Sequence, residues 1–145
     1  MLYQSQMAQA YLPSRQYQLI YSGGNPLHDD GLKSLLQFNW SGLKRLFLSG
    51  CLISDLGVDY ITLCEWPNLQ VLKLNRNSIT SKGITELSKK PWKSLTNLHI
   101  RDNKIDDEGG LGVVEGEWPS LKTIKLGIYV LSQTETIFRR RCESV

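Results

Sequence analysis

Residues 69–79 read LQVLKLNRNSI, and residues 95–105 read LTNLHIRDNKI. Superposed with an offset of 26, the two stretches share apolar residues at columns 1, 4, 6 and 11 and an asparagine at column 9. The offset carries outward in both directions. Rows beginning at Tyr17, Leu43, Leu69, Leu95 and Leu121 place Ile20, Leu46, Leu72, Leu98 and Ile124 in column 4. Column 6 holds Ser22, Leu48, Leu74, Ile100 and Leu126, and column 9 holds Asn25, Cys51, Asn77, Asn103 and Tyr129. Farther along, Gly31, Gly57, Gly83 and Gly109 align, as do Trp40, Trp66, Trp92 and Trp118, the four tryptophans of the chain. A unit of this size cannot bury its own apolar face, so rows that repeat it must stack into one continuous core.

Each row reads as a short strand followed by a helix. Side chains alternate across a strand with period 2, so columns 4 and 6 point to one face. The column-nine Asn or Cys can satisfy backbone groups where the chain leaves the strand, and Leu27, Ile53, Ile79 and Ile105 then return to the core. Ser54-Asp55, Thr80-Ser81 and Asp106-Asp107 are good helix-capping residues, with acids favoured at the positive helix end. Apolar residues follow at helical spacing: Leu32, Leu35 and Leu36; Val58 and Ile61; Ile84 and Leu87; Val113 and Val114. The aligned glycines fall at the start of each helix, where close packing or an unusual dihedral would select them. The glycine-rich run EGGLGVVEGEW predicts a short or irregular helix in the fourth row.

The pattern L-x-x-L-x-L-x-x-N/C-x-L, met almost fully by rows two to four, resembles the leucine-rich repeat family. The resemblance covers residues 17 to about 131, and the 26-residue length with a helix-like second half is similar to the ribonuclease-inhibitor side of that family. The in-register tryptophan is a variation on it. This likeness implies an α/β solenoid with short parallel strands on the concave face and helices on the convex face. It also implies a protein–protein interaction or scaffold role without chemistry. Row one departs at Tyr17 and Ser22, and row five at Tyr129 with no later Gly or Trp, as suits capping rows with one side facing water. The expected organisation is a cap segment over residues 1–16, helical in its MAQAYL stretch, repeats over 17–131, and a tail or cap over 132–145. For the tryptophan column, in-register repetition favours packing between helix end and next strand over an aromatic ligand platform.

At 145 residues, with 41% apolar and 21% charged residues, the chain has the composition of one soluble globular domain. No apolar run approaches the ~18 residues of a membrane span, and the N-terminus lacks the basic start and apolar core of a secretory signal. Cys51, Cys64 and Cys142 are odd in number and far apart, which argues against a disulfide framework and for a reducing, cytoplasmic compartment; Cys51, in the asparagine column, and Cys64, at a helix end near Trp66, read as buried inert thiols. His28 and His99 are the two histidines, and neither has the spacing of a catalytic triad or a metal site. The reading is therefore a non-enzyme with no cofactor and no metal.

Function in a solenoid lies on the surfaces that the core pattern leaves free. Columns 2 to 8 carry Lys44, Arg45, Lys73, Arg76, Arg101, Lys122 and Lys125 against Asp102 alone, a net of +6. Columns 10 to 20 of the first four rows carry three lysines against eight acids, a net of −5, so an overall charge of +3 conceals a division between faces. Column five runs Tyr21, Phe47, Lys73, His99, Lys125, about 20 Å of strip at ~4.8 Å per strand. The expected site is this strip with Arg45, Arg76 and Arg101, binding a protein partner with an acidic surface and using Tyr21 and Phe47 as anchors. Two alternatives stand beside it. One is a subunit held in a larger assembly through the solenoid ends, where Leu19, Ile128 and Val130 invite contact. The other is a nucleic-acid contact through the same strip, disfavoured by the absence of any nucleic-acid motif. The Arg139-Arg140-Arg141 run reads as a solvated tail.

Overall fold

The computed structural model describes residues 18–127. Those residues form five strands, β1 (Leu19–Tyr21), β2 (Arg45–Phe47), β3 (Val71–Lys73), β4 (Asn97–His99) and β5 (Thr123–Lys125). Between them run α1 (His28–Leu35), α2 (Asp55–Leu63), α3 (Ser81–Lys89) and α4 (Asp107–Glu115). The strands pair in sequence order as one open parallel sheet, with Ile20, Leu46, Leu72, Leu98 and Ile124 in register. The 26-residue period is thus the register of the sheet. Each helix packs against the next, because every crossover between parallel neighbours returns on the same side. This is the expected α/β solenoid. The cap segment over 1–16, Tyr17, Ile128, Tyr129, Val130, the 132–145 tail with its triple arginine, and Cys142 lie outside the described residues.

The core lies between sheet and helices. Leu46, Leu48, Ile53, Val58, Ile61, Leu72, Leu74, Ile79, Ile84 and Leu87 are fully buried there, each worth roughly 1.5–3 kcal/mol against exposure before chain entropy is counted. Burial falls off in the outer repeats, where Ile20, Leu27, Ile105 and Ile124 are partly covered. A terminal repeat has a stacking neighbour on one side only, so its apolar column is half roofed.

Polar side chains hold the rows in step. The Asn77 amide donates to the Leu48 and Leu74 carbonyls at 2.8 and 3.0 Å, while its Oδ1 accepts from the N–H groups of Cys51 and Ile53. Asn103 repeats the pattern one row on, toward Leu74, Ile100 and Ile79. Cys51 takes the same column and its thiol donates to the Ser22 carbonyl at 3.0 Å.

The helix starts are locked in the same way. Ser54, Thr80 and Asp106 cap their own helices, accepting from the N–H groups of Leu56, Lys82 and Gly109. The acid one position later reaches forward to the next cap. Asp29 accepts from the Ser54 N–H and hydroxyl, and Asp55 accepts from the Thr80 N–H and hydroxyl. In the next step the chemistry inverts: the Ser81 hydroxyl donates to Asp106, which with the Gly109 N–H holds that carboxyl below its ordinary range. α1 has no such cap, its N-cap position being Leu27.

These forward-reaching side chains explain the aligned glycines of rows two to four, Gly57, Gly83 and Gly109. A Cβ on Gly57 would run into the Asp29 carboxylate, and one on Gly83 into that of Asp55. Close approach selects glycine here; positive dihedrals occur elsewhere, at the column-eight residues Gly24, Gly50, Arg76 and Asp102 and at His28 and Leu52. The fourth helix also corrects the sequence reading. α4 is nine residues long, as long as α2 and α3. Its glycine content costs roughly 1 kcal/mol per residue against alanine, but an intact cap and packing against α3 override propensity.

The tryptophan column is structural. Each indole N–H donates to a carbonyl five residues earlier, in the last turn of its helix: Trp40 to Leu35, Trp66 to Ile61, Trp92 to Leu87, Trp118 to Val113, at 2.7–2.9 Å. The ring fills the gap before the next strand while the N–H donates to a last-turn carbonyl that, at Ile61, Leu87 and Val113, otherwise holds only a long bond from the C-cap N–H. Trp66 and Trp92 are buried, and Trp40 and Trp118, nearer the ends, are partly so.

Candidate protein-interaction face

Columns 3 and 5 of the strands point away from the helices. Strand pairing sets Leu19, Arg45, Val71, Asn97 and Thr123 in one line, and Tyr21, Phe47, Lys73, His99 and Lys125 in the next. Neither line contains an acidic residue. The column-five strip expected from the sequence is therefore a physical row of side chains at one strand spacing.

The strip has two characters. At its β1 end Tyr21 is 72% exposed and meets half-buried Phe47 edge to face, with centroids 6.1 Å apart and planes at 79°. The Lys73 ammonium lies 4.3 Å above the Phe47 ring, so Lys73 leans toward the aromatic end and covers that ring. Tyr21 is the aromatic left open. The other end is cationic. His99 sits in register between Lys73 and Lys125; partial burial, then Lys125, Lys73 and Arg101, hold its pKa below the ordinary histidine value. A neutral imidazole is the state favoured by a site crowded with positive charge.

Arg101 lies two residues past β4, exposed, with its backbone N–H bonded to the Asn75 side chain at 2.9 Å. Arg45 is exposed in the neighbouring column, flanked by Leu19 and Val71. Arg76 is placed differently from the others. It occupies the left-handed turn position after β3, φ 54°, and its Nε is 3.5 Å from Asp102 Oδ2, so a carboxylate partly offsets its charge. Among the described residues the ion pairs are Arg76–Asp102 and Lys89–Glu86. Arg45, Lys73, Arg101 and Lys125 have no carboxylate partner among them.

A second feature escaped the sequence reading. Leu52, Leu56 and Leu63 are 52%, 49% and 80% exposed, on the turn before α2 and on the outer side of α2. The signal was available: the columns of Leu56 and Leu63 hold Asp30 and Gln37, Lys82 and Lys89, and Glu108 and Glu115 in the other helices. Tyr60, between them at helical spacing, has the Lys33 ammonium 5.4 Å above its ring.

The remaining chemistry is quiet. Among the described residues no group of three or more His, Cys, Asp and Glu could hold a metal ion. Burial pushes the Cys51 and Cys64 thiols up, away from the reactive thiolate; Cys64 is half-buried rather than fully enclosed. No helix among the described residues is long and apolar enough to cross a membrane. Comparison with known proteins bears on the repeats themselves. The family model described as Leucine Rich repeat matches residues 67–88 and again 93–114, two stretches offset by the same 26 residues that align the rows. No curated protein matches the chain.

Proposed function

Because the chain is a leucine-rich repeat protein, from a family whose repeats generally mediate protein–protein contact and are typically non-catalytic, we propose that it is a non-catalytic interaction module. Its concave strand face docks a protein partner with an acidic surface. One observation carries the reading: five in-register positions, Tyr21 to Lys125, hold two aromatics and three basic side chains with no acid among them. Stacked like charges repel, and an anionic partner relieves that repulsion while exposed Tyr21 gives it an anchor. The free thiols of Cys51 and Cys64 fit a reducing, cytoplasmic setting.

The test is capture of the partner from source lysate by wild type and by the triple variant Lys73→Glu, Arg101→Glu, Lys125→Glu, with and without nuclease. Circular dichroism first checks that both fold. Loss of the partner in the variant, unaffected by nuclease, is the expected result, and loss on nuclease treatment would assign the strip to nucleic acid instead. A second reading, a subunit of a larger assembly, draws on exposed Leu52, Leu56 and Leu63 and on Leu19 at the β1 edge. A partner retained by the charge-reversed protein and lost by Leu56→Asp with Leu63→Asp would establish that reading.

A further inference from the structure

The concave reading leaves open what shape of acidic partner the strip accepts, and its dimensions constrain the answer. Each strand is three residues long, so it presents two outward side chains about 6.6 Å apart. That width suits one extended chain, whereas an α-helix with its side chains is ~10 Å across. Along the strip the features are spaced by the sheet itself. At ~4.8 Å per strand, His99 is roughly 14 Å from Tyr21, three strands away, and Lys125 roughly 19 Å, four strands away.

An extended ligand advances ~3.3 Å per residue, and alternate side chains face the sheet. Counting from a side chain over Tyr21, the positions that face the strip fall at about 7, 13 and 20 Å, two, four and six residues on. Four and six residues coincide with His99 and Lys125. Two residues on falls between Phe47 and Lys73, whose ammonium already lies over the ring. Odd offsets point away from the sheet.

Resting on the concave-face reading, we propose that the strip binds an extended acidic segment crossing the strands. That segment carries an apolar side chain over Tyr21 and acidic side chains four and six residues away, opposite His99 and Lys125. The selectivity is one of parity: the cationic end of the strip attracts acids in general, and the aromatic end fixes which ones can reach it. Lys73, held over Phe47, marks the boundary between the two ends. Arg101, on the same side as His99 and Lys125, extends the anion-binding end by one column. The direction of the segment is open, since the contacts are made by side chains.

Fluorescence anisotropy of the full-length protein with labelled peptides tests this. One peptide carries Phe followed by Glu at offsets four and six in a Gly-Ser-Thr background. A second has the same composition with Glu at offsets three and five, a third has offsets eleven and fourteen, which on a helix lie on the face of the anchor about 17 and 21 Å away, and each is made in forward and reversed order. The expected result is that the four-and-six peptide binds about tenfold tighter than the three-and-five peptide, a difference of roughly 1.4 kcal/mol. Lys125→Glu, on an exposed side chain, should erase the advantage. Equal affinity of all peptides, lost together in the Lys125→Glu protein, overturns the extended register and leaves the concave basic face as the docking surface. Preference for offsets eleven and fourteen overturns it in favour of a helical ligand. Failure of any peptide to bind, or binding indifferent to Lys125→Glu, overturns both this inference and the concave-face reading.

Discussion

Two sets of aligned side chains run across this solenoid, and they differ in how they are bonded. The ladder of Asn77, Asn103, Ser54, Thr80, Asp29 and Asp55 is polar, with Asn77 buried and the rest half-buried, and each member bonds backbone or side chain in the neighbouring row. The column-five strip is equally regular in position, yet its members touch one another only through ring and charge contacts and otherwise face water. Repetition alone therefore does not mark function. A repeated side chain with a buried partner in the next row holds the stack together. A repeated position whose occupant changes from Tyr to Phe to Lys to His to Lys carries no bonding role, and its chemistry is free to serve recognition.

The contrast is sharpest where a substitution breaks one set and spares the other. Trp92→Ala should cost about 4 kcal/mol, because it removes a buried indole together with the shorter of the two hydrogen bonds to the Leu87 carbonyl, leaving a cavity and a weakly satisfied acceptor. Urea unfolding would show a lower midpoint with little change in slope.

Asn77→Ala should follow at about 3 kcal/mol. It leaves the N–H groups of Cys51 and Ile53 and the carbonyls of Leu48 and Leu74 short of partners, each buried loss costing roughly 1–3 kcal/mol with partial relief by relaxation. A loss below about 1 kcal/mol in the same unfolding experiment would mean that the ladder is not what keeps the rows in register.

Column five should behave in the opposite way. Lys73→Ala with Lys125→Ala should change stability by no more than about 0.5 kcal/mol, as expected for surface positions without a buried bond. It should still weaken partner capture strongly. Comparable losses in both assays would erase the distinction between the two sets.

The smallest effect is that of pH. Because the folded protein holds the His99 pKa below the ordinary 6.5, the unfolded chain takes up the proton first as pH falls. The contribution of His99 to stability is thus present above 6.5, declines below it, and levels off beneath the lowered folded value. An acidic partner opposes that shift, so its binding should take up protons and tighten as pH falls through the same window. Both trends should vanish in His99→Asn, the first by thermal denaturation at several pH values and the second by titration calorimetry in buffers of different ionisation enthalpy. Binding that weakens on acidification would argue against an anionic group at His99.

Much of this was legible in the residues. The 26-residue offset gave the sheet register directly, because in a stack of identical units the period and the register are the same quantity. The caps Ser54, Thr80 and Asp106 and the packed role of the tryptophans could be read for the same reason. The length of α4 could not, since propensity argues from Gly109, Gly110 and Gly112 alone while the packed neighbour α3 decides the outcome. Nor could the pairing of Arg76 with Asp102, which depends on two left-handed turns lying side by side.

The sequence by itself determined the repeat, the faces and the separation of charge, because periodicity 26 with alternation 2 permits one stacking of apolar columns. The tertiary structure decided which groups remain available. It placed the Lys73 ammonium on the Phe47 ring, offset the charge of Arg76, and left Tyr21, His99, Arg101 and Lys125 as the open chemistry of the concave face. It also exposed Leu56 and Leu63 in columns where the neighbouring rows hold polar or charged residues. Those outcomes depend on distances between rows, and a linear pattern fixes the order of such distances without fixing which side chain leans toward which.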